Sequence, residues 1–301
     1  MPSKRTILVT GATGAQGGGV ARNLLAKGSF AVRALTRNPG SDAARKLESA
    51  GAQVVAGDLA DTDSIRAAAR GCYGVFGVTN FWEHFEKEHA HGINLVDAVN
   101  SADVQHFVMS TLPSVKKQDP NLNVPHFEIK AEIEEYARGL GVPTTFIHVA
   151  FYYENFMYFF PPQKGPDGAY SFGFPQGETP LAGVSVEDVG GVVARVFEDR
   201  DRFLGQVVGI VGDDIPSAKY AEILTRELGK KITYNYIPRE VFAKFGFPGA
   251  EDLADMFEFN RLYVPSRRVD IEQSRALYPA MQSFESWVRN NKEKLLAALK
   301  G

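Results

Sequence analysis

Gly11-Ala12-Thr13-Gly14-Ala15-Gln16-Gly17 stands directly after the apolar run Ile7-Leu8-Val9. A strand that ends in glycines and opens into a helix leaves the first helical N–H groups without partners, beside the positive end of the helix dipole. Such a turn is a seat for a pyrophosphate. In this reading Gly11 permits the tight turn, Gly14 lets backbone approach phosphate, and Gly17 lets helix pack on strand. The spacing is G-x-x-G-x-x-G with no Lys-Ser/Thr after it, which excludes a P-loop.

The residues that follow the later apolar runs carry complementary chemistry. Arg37, with Asn38 beside it, comes twenty residues after Gly17. A site for NAD places Asp or Glu there to accept from the ribose 2′-OH, whereas a guanidinium suits a 2′-phosphate. In Gly57-Asp58-Leu59 the carboxylate either accepts from an adenine amine, with Leu59 over the base, or caps the next helix. Thr79-Asn80-Phe81-Trp82 mixes hydrogen-bonding groups with aromatics, which suits the lip of a cleft or a turn running into core. His126 and Lys130 stand at i,i+4, on one face of a helix. There an imidazole either donates a proton or simply starts the helix after Pro125, with the ammonium beside it. A helix N-terminus and a neighbouring ammonium both favour the neutral imidazole, a poor acid. His84, His89 and His91 do not converge on one helical face, which argues against a metal site, and Cys72 reads as a buried small residue.

Positioning these groups requires regular alternation of strand and helix. Apolar runs at 7–10, 31–36, 53–56, 75–78, 106–109 and 145–149 read as buried strands. Helical patterns fall between them at 16–27, 42–49, 63–69, within 86–101, and at 127–140. The expected fold is α/β, a Rossmann-type doubly wound parallel sheet whose ligands lie beyond the carboxyl ends of the strands. The regularity fades after Phe151, where Tyr152, Tyr153, Phe156, Tyr158, Phe159 and Phe160 form an aromatic cluster. Short strands and helices complete the chain, with Ser217 expected to cap one of them. Residues 1–150 are thus expected to form the dinucleotide-binding domain, and 151–301 a smaller, mainly helical C-terminal lobe, partly discontinuous with the sheet. The polar segment 113–125 is expected to be a mobile loop with few contacts.

Composition bounds the setting. The 301 residues are 44% hydrophobic and 23% charged, with a net charge of −3 that offers no attraction to nucleic acid or an anionic membrane. A single cysteine excludes an internal disulfide and suits a reducing compartment. The first apolar run is too short for a signal peptide or membrane span. The expectation is a soluble protein of the cytoplasm, with the nucleus as a second compartment.

Taken in order, these residues resemble the NmrA-like branch of the atypical short-chain dehydrogenases, and within it the HSCARG type of NADPH sensors. The resemblance rests on the Gly11–Gly17 turn, Arg37, Gly57-Asp58-Leu59, Thr79-Asn80-Phe81-Trp82-Glu83, His126-Phe127-Glu128-Ile129-Lys130 and Tyr152-Tyr153-Glu154-Asn155-Phe156. Phe160-Pro161-Pro162-Gln163-Lys164, Val184-Ser185-Val186-Glu187-Asp188-Val189-Gly190 and Gly246-Phe247-Pro248-Gly249-Ala250 extend it over nearly the full chain. It implies NADP(H) held by the glycine turn, Arg37 and Asn38, Asp58, Leu59, Thr79, Asn80, Phe81, Lys130, Tyr152, Tyr153, Glu154 and Asn155. Two basic features of the HSCARG type are absent: Gly40-Ser41 replaces basic residues after Arg37, and Ala90 or a neighbour stands where that type has a cofactor-contacting lysine. Catalytic short-chain dehydrogenases pair Tyr with Lys at i,i+4, and here His126 replaces the tyrosine. The resemblance therefore implies a redox sensor in transcriptional regulation, which couples dinucleotide binding to a regulatory protein partner or to homodimerisation. The alternative is an NADPH-dependent reductase of a quinone, enone or similar acceptor.

Overall fold

The computed structural model describes residues 4–299. In chain order the first half runs β1 (Thr6–Val9), α1 (Ala15–Lys27), β2 (Ala31–Thr36), α2 (Asp42–Ser49), β3 (Gln53–Ala56), α3 (Thr62–Ala69), β4 (Gly74–Gly77), α4 (Phe81–His84), α5 (Lys87–Ser101), β5 (His106–Thr111), α6 (Pro125–Gly139) and β6 (Thr144–Val149). There follow β7 (Phe151–Tyr152), α7 (Asn155–Tyr158), β8 (Gln163–Lys164), β9 (Tyr170–Phe174), β10 (Leu181–Val184), α8 (Val186–Glu198), α9 (Arg200–Phe203), β11 (Val207–Ile210), β12 (Asp213–Ile215), α10 (Ser217–Leu228) and β13 (Ile232–Tyr236). Five helices close the described chain: α11 (Arg239–Phe242), α12 (Ala250–Tyr263), α13 (Arg268–Leu277), α14 (Phe284–Asn290) and α15 (Lys292–Ala298).

Seven strands form the main sheet in the order β3-β2-β1-β4-β5-β6-β11, and the pairings from β3 through β6 are all parallel. Helices on both faces bury the strands twice over, so Ile7, Leu8, Val9, Val75 and Phe76 are fully buried. The strand order reverses between β1 and β4, the point where a doubly wound sheet opens a crevice at its carboxyl edge. The turns after β1 and β4 therefore flank that crevice. This is the Rossmann-type architecture that the alternating pattern implies.

The chain divides into two compact units that interleave in sequence. The first contains the chain up to Ser114, His126–Val149 and Val186–Gly209; the second contains Val115–Pro125, Ala150–Ser185 and the chain from Ile210. Where the sequence reading places one boundary at 150–151, helix α8 returns to the first unit. The cause is a close helix pair: a Cβ on Gly19 would lie 3.0 Å from the Val186 carbonyl oxygen, and one on Gly190 would clash with the Gly19 backbone. Arg22 and Glu187 join the same two helices by an ion pair of 2.5 Å. Glycines that weaken α1 as an isolated helix thus let α8 approach it.

In the second unit helices α10 to α15 accompany two three-stranded sheets, β12-β10-β7 and β13-β9-β8. Its core is aromatic, with Phe174 stacked on Phe257 at 4.4 Å and Tyr220, Phe284 and Trp287 fully buried. Two expectations are corrected here. Segment 113–125 is not poor in contacts: Val115, Leu122 and Val124 are buried, the Asn123 N–H donates to Asp255 at 2.8 Å, and Tyr263 donates to Asp119 at 2.8 Å. Ser217 does not cap α10; it is the first helical residue, buried, and Pro216 holds the cap position without a side-chain bond. Among the described residues no helix is long and apolar enough to cross a membrane.

Candidate functional site

The glycine turn is built as its spacing requires. Gly11 adopts φ +58, a left-handed conformation that disfavours any side chain. A Cβ at Gly17 would fall inside the contact distance of the Thr10 and Gly11 carbonyl oxygens, so only glycine lets α1 start this close to β1. Gly14 precedes α1 with no side-chain cap, which leaves the first N–H groups of the helix available to an anion. Gly11, Thr13, Gly14 and Ala15 are exposed, while Ala12, Gln16 and Gly17 are buried. The Gln16 amide donates to the Ser110 hydroxyl at 2.9 Å, tying the turn to the end of β5. The Val78 N–H donates to the Thr10 hydroxyl at 3.0 Å, tying it to the end of β4. A pyrophosphate fits this cradle in shape and in polarity.

The flanking residues converge on the same edge of the first unit. Arg37 follows β2 and pairs with Glu83 at 2.6 Å. The hydrogen bond and charge of Glu83 hold the guanidinium pKa up, and Arg37 holds the Glu83 carboxyl below its ordinary range. Asn38 shapes the turn after β2, since its side-chain oxygen accepts from the Gly40 N–H at 3.1 Å. Asp58 accepts from the Ala60 N–H at 2.9 Å, and the cap of the next helix is Asp61 rather than Asp58. Leu59 packs against the apolar core beside β3. Asn80 is exposed and donates to Glu83 at 3.1 Å. Phe81 is not open lip; it is buried against Trp82 at 5.1 Å and His126 at 5.8 Å between ring centroids.

Lys130 has an occupant that the sequence reading missed. Its ammonium donates to Glu88 Oε1 at 2.6 Å, to the Thr79 hydroxyl at 2.9 Å and to the Thr79 carbonyl at 3.4 Å. The Thr79 hydroxyl in turn donates to Glu88 Oε1 at 2.6 Å. Glu88 is fully buried in the first turn of α5, where the helix dipole favours a carboxylate, and its Oε2 has no hydrogen-bond partner among the described residues. His126 lies at the first turn of α6, buried and 5.2 Å from the Trp82 ring. The rings of His84 and His91, on separate helices, meet at 4.7 Å.

The remaining residues of the expected set belong to the second unit. Tyr153 is fully buried among Tyr220, Phe284 and Trp287, so it is a core residue rather than a surface contact for a ligand. Glu154 accepts from the Ser185 hydroxyl and the Trp287 indole, both at 3.0 Å. Burial, with the Glu154 charge, pushes the Tyr152 phenol up. Asn155 begins the short helix α7. A cavity of about 560 Å³ in the first unit lies at the opposite, amino edge of the sheet, beside Arg5, Tyr73, Pro143 and Arg200. Its cations are already committed, Arg5 to the Tyr73 ring at 4.0 Å and Arg200 to the Gln105 carbonyl at 2.8 Å.

Comparison with known proteins agrees with this geometry. The NmrA-like family profile matches residues 3–288. The NmrA-like family domain-containing oxidoreductase hkm9 of Aspergillus hancockii is 35% identical over 273 residues, covering 84% of this chain and 82% of the relative. The crystal structure of NmrA, a negative transcriptional regulator, in complex with NADP is 25% identical, covers 95% of each chain and superposes with a TM-score of 0.80. The fold is also shared with an NADPH-dependent quinone oxidoreductase of Escherichia coli, at 22% identity and a TM-score of 0.79 over 94% of this chain and 99% of that one. With a family match over nearly its whole length, this chain belongs to the NmrA-like family.

Proposed function

We propose that the chain binds NADP(H) and acts as a regulatory protein, its association with a protein partner or a second copy following dinucleotide occupancy. The backbone N–H groups of the glycine turn would hold the pyrophosphate, and Arg37 would hold the 2′-phosphate. Crystal structures of NmrA in complex with NAD and with NADP support a bound dinucleotide, and the preference for NADP rests on Arg37. Bound NADPH would supply a hydride at the nicotinamide; the question is whether this chain delivers a proton to match it.

The observation that carries the regulatory reading is the state of Lys130. Three acceptors from Glu88 and Thr79 meet its three donors, and the position at i−4 is His126 rather than tyrosine. Such an ammonium is offset by a buried carboxylate and lends little positive potential to a proton donor. A reductase of a quinone or enone is the second reading, favoured by the oxidoreductase name of the relative hkm9 and by a chemistry that asks less of a proton donor. The two readings separate in one comparison. NADPH consumption against aldehydes, ketones and quinones is measured alongside sedimentation with and without NADP(H). The regulatory reading expects negligible turnover and a cofactor-dependent shift in assembly or partner affinity. By linkage, the partner must then change cofactor affinity by the same factor. Robust His126-dependent turnover, with no cofactor effect on assembly, would overturn it.

A further inference from the structure

Arg37 does not wait for its ligand as a bare cation. Its Nη2 lies 2.6 Å from Glu83 Oε1, and the other carboxylate oxygen, Oε2, accepts from Asn80 at 3.1 Å. His84 stands 3.8 Å from Glu83 Oε1, and Asp58 adds its own negative field at Arg37. Both partners are about half exposed, at 54% and 45% of their side-chain surface. A wet pair of this kind contributes little to folding. The fold therefore gives no structural reason for it that a neutral residue at 83 would not satisfy.

We infer that Glu83 is the chain's own stand-in for the 2′-phosphate, a specificity-determining residue that a phosphorylated ribose must displace from Arg37. This inference rests on the dinucleotide reading given above. The chemistry of competition is direct. A phosphomonoester brings nearly two negative charges and three acceptor oxygens to a guanidinium that can serve one bidentate partner well. While Glu83 stays, its charge also repels the incoming phosphate. NAD, which has a hydroxyl at this position, does not have to expel the carboxylate. Glu83 therefore narrows the preference for NADP that Arg37 alone would create. It also links phosphate arrival to α4, because the residue beside Glu83 is Trp82, whose ring lies against His126.

The test compares NADP and NAD affinities by calorimetric titration in the wild type, Glu83→Gln and Arg37→Ala, with adenosine 2′,5′-bisphosphate and 5′-AMP as fragment probes. Glutamine keeps the size and the bond from Asn80 but removes the charge. The expected result is that Glu83→Gln raises the ratio of NADP to NAD affinity by about two- to fivefold, the range an exposed ion pair can supply. The same rise should separate the bisphosphate from 5′-AMP. An unchanged ratio, or weaker NADP binding in Glu83→Gln while Arg37→Ala still abolishes the NADP preference, overturns the stand-in role and leaves the Arg37 reading intact. If Arg37→Ala leaves the ratio as in the wild type, the phosphate is held elsewhere and both readings fall.

Discussion

The Lys130 ammonium and the Glu88 carboxylate form an ion pair of 2.6 Å in which Glu88 is fully buried and Lys130 retains 13% of its side-chain exposure. Taking a carboxylate out of water is costly, and the ammonium, the Thr79 hydroxyl and the N-terminus of α5 offset it. The pair brings α5 and α6 together at the end of β4, so the position of Lys130 depends on Glu88 as much as on its own helix.

Removing one partner should therefore expose the cost of the other. Lys130→Met leaves a buried charge and is expected to destabilise the protein by about 3–5 kcal/mol. The double variant Lys130→Met with Glu88→Gln should lose clearly less than the sum of the single losses. Urea unfolding of the four proteins measures the cycle. Additive losses would mean that the two side chains do not act as a pair.

Glycine replacement should separate crowded from open positions. At Gly17 a methyl group meets two backbone carbonyl oxygens, neither of which can swing aside, so the turn itself must move. Gly17→Ala is expected to cost about 1–3 kcal/mol and to weaken dinucleotide binding with it. Gly139, the last residue of α6, has nothing within 4 Å of its missing Cβ and no left-handed φ. There Gly139→Ala should stabilise by about 0.4–1 kcal/mol without touching affinity. Thermal unfolding with and without NADP distinguishes the two outcomes.

His106 supplies a pH dependence whose direction is fixed by its bonds. The Thr145 hydroxyl donates to the Phe203 carbonyl at 2.8 Å, so it must accept from His106 Nε2 at 2.9 Å, and the buried Nδ1 has no partner among the described residues. Burial pushes this imidazole down to about 4, the Arg200 charge assisting and Asp201 opposing. In the unfolded chain it titrates near 6.5, about its free value. Between these values the unfolded state takes up a proton that the native state refuses. Stability should therefore fall as pH drops from about 6.5 to 4, by roughly 3 kcal/mol from this group. His106→Gln should flatten that part of the profile; an equally steep fall in the variant would assign the effect to other groups.

What the sequence made legible were features whose cause is local. Parallel strands buried on both faces read as apolar runs, and the glycine spacing announces the turn because each glycine answers a backbone constraint within seven residues. Features that depend on distant partners were not legible. Glu88 carries no signal of its own in the sequence; its partners Thr79 and Lys130 lie nine and forty-two positions away. Segment 113–125 reads as polar because Val115, Leu122 and Val124 are spread among charges, yet those three carry its packing. The return of α8 to the first unit rests on Gly19 facing Gly190 and has no signal at either position alone. Tyr153 shows the limit of resemblance: the motif implies a ligand contact, while its own ring fills a core.

His126→Tyr restores the tyrosine–lysine spacing of a working dehydrogenase on α6, and the geometry argues that this alone will not restore catalysis. In a working pair the ammonium lowers the phenol's pKa and so prepares it to give up its proton. Here the ammonium faces a carboxylate at 2.6 Å, which cancels most of that field at the phenol. General acid catalysis contributes about 10²–10⁴-fold where it operates. We expect the single variant to reduce ordinary aldehydes and ketones no faster than the wild type, and the pairing with Glu88→Gln to gain more than either change alone. Cofactor titration on each variant guards against a folding defect, since a tyrosine must fit where His126 packs against Phe81 and Trp82. A gain of about a hundredfold in His126→Tyr with Glu88 intact would mean that the Lys130 charge reaches the phenol unscreened. The buried pair would then be no obstacle to catalysis, and the missing tyrosine would be the only one.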